Sequence, residues 1–203
     1  MRTREYIMTF DDVISPEDCD YITKYSDTKF NDGYGSIVDI PKFASFWMYN
    51  ITQAAICGEE EEPMKIQKLS SIVFAKAWKQ YQERLGILQD ERFKDTSHNY
   101  TESFFLRYYP DGGFENTHFG ARCSETGRRF ATMILCLNDA KSASIAFEPE
   151  VGAANIQYKK GRLVIFPSNW MFPFREIQTD ESRYCIQGHY AWYDPDKYNK
   201  VTE

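Results

Sequence analysis

His98, His118 and His189 are all the imidazole in the chain, and Cys19, Cys57, Cys123, Cys136 and Cys185 are all the thiol. Imidazoles grouped with a carboxylate suit Fe(II), and thiols in CxxC pairs suit zinc or a redox centre. The cysteines are odd in number and nowhere spaced CxxC, which fits buried free thiols rather than a disulfide framework or a zinc clip. His118 is the imidazole best placed for chemistry. It follows the apolar run 104–109 and the turn Pro110-Asp111-Gly112-Gly113, where a strand end presents a side chain to a pocket. His98 lies in the polar stretch Asp95-Thr96-Ser97-His98-Asn99, and a solvent-facing role is expected of it. His189 stands on the same strand as Arg183 but about 20 Å further along, and is expected to be a packed or rim histidine far from the corner of His118. Glu115, Glu148 and Glu176 lie near turns and are the spare carboxylates, although acids near turns are ordinarily solvated. Arg183 shares its strand with Cys185 and Ile186, so it needs an anionic partner. That partner is either a ligand carboxylate held by the planar guanidinium or an acid of the chain itself. Arg122, Arg128, Arg129 and Arg175, with Phe114, Phe119, Trp170 and Phe172, have the composition of a basic aromatic mouth able to stack single-stranded nucleic acid. Rim residues of an ordinary fold have it as well.

The elements that must hold these residues change character near residue 100. Ser15-Pro16-Glu17-Asp18 offers a cap, a proline at the first helical position and acids at the positive dipole end, and predicts a helix over 16–27 with Tyr21, Ile22 and Tyr25 inward. Gly33 and Gly35, and then the acidic run Glu59-Glu60-Glu61-Glu62-Pro63, read as breaks, the latter as a solvated loop. From Met64 the positions Ile66, Leu69, Val73, Trp78, Tyr81 and Leu85 recur at helical spacing, and Gly86 supplies a left-handed stop. Strand-like runs follow at 103–109, 130–137, 143–147, 152–158, 163–166 and 183–192, separated by turn compositions such as Asn138-Asp139 and Pro167-Ser168-Asn169. One α+β domain over 1–203 is expected. Residues 1–100 form a mainly helical buttress and 101–203 form a jelly-roll core.

Composition narrows the function classes. With 203 residues, 42% hydrophobic and 27% charged, the chain can bury a sizeable core, and 16% aromatic residues suggest a ring-walled interior. The formal net charge of −6 supplies no global field for sequence-blind nucleic-acid binding. No apolar run approaches the roughly 20 residues of a membrane span, and the opening Met1-Arg2-Thr3-Arg4-Glu5 has no signal-peptide core, so a cytoplasmic chain that does not enter membranes is expected. There is no phosphate-binding glycine loop, nucleophile elbow or dinucleotide fingerprint.

The stretch Phe105-Leu106-Arg107-Tyr108-Tyr109-Pro110-Asp111-Gly112-Gly113-Phe114, ending at His118, resembles the strand and turn before the first iron ligand of prolyl-4-hydroxylase-like 2-oxoglutarate/Fe(II) dioxygenases. Three further blocks agree in order. Arg129–Thr132 with Leu137-Asn138-Asp139 resembles the following strand. Lys160-Gly161-Arg162-Leu163-Val164-Ile165-Phe166-Pro167-Ser168 resembles the strand leading to the second histidine, and Ser182-Arg183-Tyr184 the strand whose basic residue grips 2-oxoglutarate. The opening Phe10-Asp11-Asp12-Val13-Ile14-Ser15 is similar to the helix entry of small stand-alone members. The resemblance implies a double-stranded β-helix (jelly-roll) core with N-terminal helices packed on one sheet. It implies Fe(II) and 2-oxoglutarate as cofactors, His118 as a metal ligand, and Arg183 with Tyr109 at the cosubstrate's distal carboxylate. In the family a His-x-Asp pair and a distant His hold the iron on one face.

Two positions depart from that pattern. His118-Phe119-Gly120 places glycine where the carboxylate stands, and Phe174, within Pro173-Phe174-Arg175, falls where the second histidine stands. A glycine at the first position is also how family halogenases make room for a halide. The loss of both ligands favours a non-catalytic or repurposed member that binds a small molecule or a protein. The alternatives are an active hydroxylase or halogenase-type oxygenase using His118 with an unexpected ligand, and an assembly protein using the barrel as a scaffold.

Overall fold

The computed structural model describes residues 3–58, 61–86, 99–123, 126–148 and 154–192, so His98 and two of the four acids of the acidic run lie outside the described residues. After a short 3-10 turn (Thr3–Tyr6) comes strand β1 (Met8–Phe10), and then helix α1 (Pro16–Asn31). The Ser15 hydroxyl accepts from the Asp18 amide at 3.0 Å, with Pro16 at the first helical position, so the start of α1 follows from capping. Ile22 and Tyr25 face inward, whereas Tyr21, expected beside them, is 39% exposed because it falls one helical step off the buried stripe of Cys19, Ile22, Ser26 and Phe30.

A hairpin of β2 (Ser36–Ile40) and β3 (Ala44–Asn50) follows, then α2 (Ile51–Cys57), capped by the Asn50 side chain accepting from Gln53 N at 2.9 Å. Helix α3 (Glu61–Leu85) buries Ile66, Val73, Phe74, Ala77 and Tyr81, and Gly86 ends it at φ +69°. Glu61 and Glu62 belong to its first turn rather than to a loop, where their charge complements the exposed amides and Pro63 lacks the amide that a first turn leaves unpaired. The remaining strands are β4 (Asn99–Thr101), β5 (Phe105–Tyr109), β6 (Phe114–His118), β7 (Arg129–Cys136), β8 (Ala140–Phe147), β9 (Asn155–Tyr158), β10 (Leu163–Pro167), β11 (Phe174–Glu176) and β12 (Arg183–Trp192).

All strand pairs are antiparallel in one curled sheet of order β1-β10-β7-β12-β5-β3-β6-β11-β8-β9, with β2 on β3 and β4 on β12. Among the described residues before Asn99 there are thus three strands besides the helices, and β3 sits in the middle of the sheet. Two cores result. Ile22, Ile66, Phe74 and Tyr81 of the helices pack on Leu106, Met133, Leu135, Ile165 and Ile186. Phe46, Tyr109, Ile134, Cys136, Ile145, Phe147, Val164, Phe166, Phe174 and Cys185 fill the inside of the curl. The alternation of strand side chains explains the split, since neighbours such as Cys185 and Ile186 point to opposite faces. No helix among the described residues is long and apolar enough to cross a membrane.

Candidate functional site

The same alternation sends the chemistry-bearing residues inward. Arg183, Gln187 and His189 follow the parity of Cys185 on β12, Arg107 and Tyr109 share a face of β5, and Phe174 and Glu176 share a face of β11 while Arg175 between them is exposed. Strand β6 breaks the rule usefully. Phe174 pairs with His118 but Glu176 pairs with Glu115, which leaves one extra residue on β6. This β-bulge turns both Glu115 and His118 inward, although they are three residues apart.

At the first corner, His118 Nδ1 donates to the carbonyl of Asn116 at 2.8 Å, which fixes the tautomer and leaves the Nε2 lone pair facing Glu115 Oε1 at 3.3 Å. Nε2 is buried without a hydrogen-bond partner. Burial outweighs the pull of Glu115 and lowers the His118 pKa to about 4, so at neutral pH this contact is not an ion pair. Phe174 lies over the imidazole with ring centroids 4.2 Å apart, itself packed by Phe166 at 4.8 Å and Phe147 at 6.2 Å. Phe174 therefore meets His118 directly, as an apolar ring. Beside Gly120 there is no vacancy. A Cβ built there would lie 2.7 Å from Thr132 Oγ1 and 3.1 Å from Ser168 Oγ. Those two hydroxyls bond each other at 2.7 Å, and Thr132 Oγ1 lies 3.2 Å from His189 Nδ1. The expectation that His189 sits far from this corner is corrected, because pairing of His189 with Thr132 across β12 and β7 brings it to the Gly120 side. It remains a packed residue, 3% exposed, with burial holding its pKa well below the usual range.

The second corner holds the charges. Arg183 is fully buried, donates from Nη1 to the Gly113 carbonyl at 3.2 Å, and lies over the Tyr109 ring at 4.3 Å. Its anion is Glu176, whose Oε2 stands 3.5 Å from Nε and whose carboxylate accepts from the Tyr158 hydroxyl at 3.1 Å. Burial raises the Glu176 pKa to about 7, against the opposing pull of Arg183. Tyr109 touches Arg183 with its face, while its hydroxyl donates to Glu115 at 3.3 Å and accepts from Arg107 at 3.2 Å. Arg107 and Glu115 form a buried ion pair at 2.6 Å, and Arg122 reaches the other Glu115 oxygen at 3.2 Å. Arg107 and Arg122 hold the Glu115 carboxyl below the usual range despite burial.

Of the residues singled out in the sequence, His118 meets Glu115, Glu115 accepts from the Tyr109 hydroxyl, and the Tyr109 ring lies under Arg183. Sequence reasoning undervalued Glu115 and Glu176, which are core residues, and passed over Arg107 and Tyr158. Glu148 accepts from Thr117 Oγ1 at 2.7 Å near the surface. The aromatic and basic residues of the supposed mouth divide. Trp170 is 72% exposed, but Phe172 is buried, Arg129 is tied to Glu102 at 2.5 Å, and Arg122 is turned toward Glu115.

One measurable consequence concerns His118. Its folded pKa lies below the unfolded value near 6.5, so the stability it contributes is present above pH 6.5 and is lost as pH falls toward 4. An NMR titration of its ring protons should show no midpoint between pH 5 and 8, and a midpoint near 6.5 would mean that the ring is not sealed in.

No protein-family model and no curated protein matches the sequence. Solved structures do. A prolyl-4-hydroxylase from Pseudomonas putida superimposes with TM-score 0.63 at 16% identity, covering 93% of this chain and 94% of that one. A prolyl hydroxylase from Trichoplax adhaerens, in complex with a hypoxia inducible factor peptide fragment, gives TM-score 0.72 at 14% identity, with coverage of 100% and 91%. The viral collagen prolyl hydroxylase of Paramecium Bursaria Chlorella virus-1, as its 2OG complex, gives 0.60 at 14% identity over 91% and 95%. The chain has the prolyl-4-hydroxylase fold, a double-stranded β-helix with helices on one sheet.

Proposed function

We propose that this chain is a repurposed member of the prolyl-4-hydroxylase fold that acts by binding a small molecule or a protein and not by oxidising a substrate. The observation that carries the reading is the packing of Phe174 on His118, because it puts an apolar ring where the fold's oxygenases need a second imidazole. The donor chemistry supports it. Among the described residues no three His, Cys, Asp or Glu side chains converge to hold a metal ion. His118 Nε2 and Glu115 Oε1 are two donors at most, and the carboxylate is already neutralised by Arg107 and Arg122. Fe(II) in such a site wants three protein ligands on one face, so these residues do not fit it. Nor does the Gly120 side offer the halide room that a halogenase reading needs, since Thr132 and Ser168 fill it. A cytoplasmic placement belongs to the same proposal.

A second reading, an oxygenase that uses His118 with Glu115, draws on the unpartnered Nε2. Isothermal titration of 2-oxoglutarate into anaerobic protein, with and without Mn(II), separates the two. No metal-dependent heat is the expected result. Metal-dependent binding that disappears in His118→Ala would overturn the binding-protein reading.

A further inference from the structure

The fold's cosubstrate corner contains an oddity beyond the missing ligands. Arg183 is sealed from solvent, yet its Nε and Nη2 have no hydrogen-bond partner, and only Nη1 donates, to Gly113. A guanidinium buried this deeply ordinarily grips a carboxylate with two parallel N–H bonds. Glu176 stops 3.5 Å short of Nε, its position set by β11 pairing to β6 and β8 on either side. Tyr158 steadies the carboxylate from the other side. A cleft of about 320 Å³ lined by Phe114, Asn116, Arg175 and Gln178 also borders Glu176, whose carboxylate is itself buried.

We propose that Arg183, oriented by the Gly113 carbonyl that accepts from it, and the Tyr158 hydroxyl form a monocarboxylate-binding site whose resident ligand is the chain's own Glu176 side chain. Tethering gives Glu176 an effective concentration that a free carboxylate cannot match, although its reach holds it at ion-pair distance without a hydrogen bond to the guanidinium fork. The site is therefore self-occupied in the intact protein and open to small carboxylates once Glu176 is shortened. The inference rests on the binding-protein reading only in that no exogenous cosubstrate holds Arg183.

Glu176→Ala removes a CH₂–COO⁻ fragment, which is the size of acetate, and Glu176→Gly removes the size of propionate. Leaving Arg183 buried and uncompensated should lower Tm by on the order of 10 °C in Glu176→Ala. Acetate should restore at least half of that loss with saturation, propionate less, and chloride at equal ionic strength none. In Glu176→Gly the order of acetate and propionate should reverse. If the variants do not fold in chloride, the yield of refolded protein in each anion reads out the same comparison. Equal effects of carboxylate and chloride would overturn the proposal. So would an acetate response that persists in the double variant Glu176→Ala/Arg183→Met. Metal-dependent 2-oxoglutarate binding by the intact chain would instead sink the binding-protein reading, and anion rescue in the variants is measured without metal.

Discussion

Replacing Arg183 with alanine should cost about 3–5 kcal/mol, because it leaves Glu176 as an uncompensated buried acid among Tyr109, Tyr158 and Cys185. The cost should also depend on pH in a fixed sense. The folded pKa of Glu176 is already raised to about 7, and losing the guanidinium raises it further. A carboxyl with a raised folded pKa contributes stability that is complete below the unfolded value near 4.5 and is lost as pH rises through the folded value. The deficit of the variant should therefore be smallest in mild acid and largest above neutrality. Urea denaturation at both ends of that range measures it. A loss below 1 kcal/mol, or one that does not grow with pH, would show that Glu176 is not the counter-ion of Arg183. Replacing both residues with apolar side chains, as in Arg183→Met with Glu176→Leu, should recover most of the loss, since an apolar pair of similar volume avoids desolvating either charge.

Placing a carboxylate near His118 with Gly120→Asp should cost about 3 kcal/mol or more. The new Cβ would press on Thr132 Oγ1 and Ser168, and a carboxylate would enter a corner already filled by a hydroxyl pair and a neutral His189. Gly120→Ala separates the two causes, because it meets the same contact without the charge and should cost about 1–3 kcal/mol. Chemical denaturation of the two variants side by side gives the difference. An aspartate tolerated as well as alanine, together with a new affinity for Mn(II), would mean that the corner keeps room for a ligand set and would reopen the oxygenase reading.

Much of this architecture is legible in the residue string, for local reasons. Ser15 and Pro16 announce α1, Gly86 ends α3 where a positive φ is needed, and the ten-residue strand from Arg183 to Trp192 appears with the bounds read from it. The hairpin of β2 and β3 is hidden because β3 packs rings on both faces. Phe46 points inward while Trp47 meets Phe30 at 5.8 Å, so no alternation survives. The β6 bulge is equally silent, since Glu115-Asn116-Thr117 carries no glycine to mark an extra residue. That is why Glu115 reads as a solvated acid. For Glu176 a signal did exist. It stands two residues from a core phenylalanine on a strand of period two, and Arg183 requires an anion of inward parity. His189 was misjudged because distance along a strand says nothing about which neighbour crosses it, and here that neighbour is Thr132.

The two interior ion pairs have a property that concerns how the sheet is made. Arg107 and Glu115 are eight residues apart in the chain, and Glu176 and Arg183 sit similarly close on the segment 174–183. Each segment therefore brings to the barrel interior one buried cation together with its own buried counter-ion. Neither charge has to wait, solvated, for a partner from a distant strand before the sheet can close over it. The slow part of assembly should then be the long-range docking of β12 between β5 and β7, governed by chain topology, with little dependence of the folding rate on ionic strength.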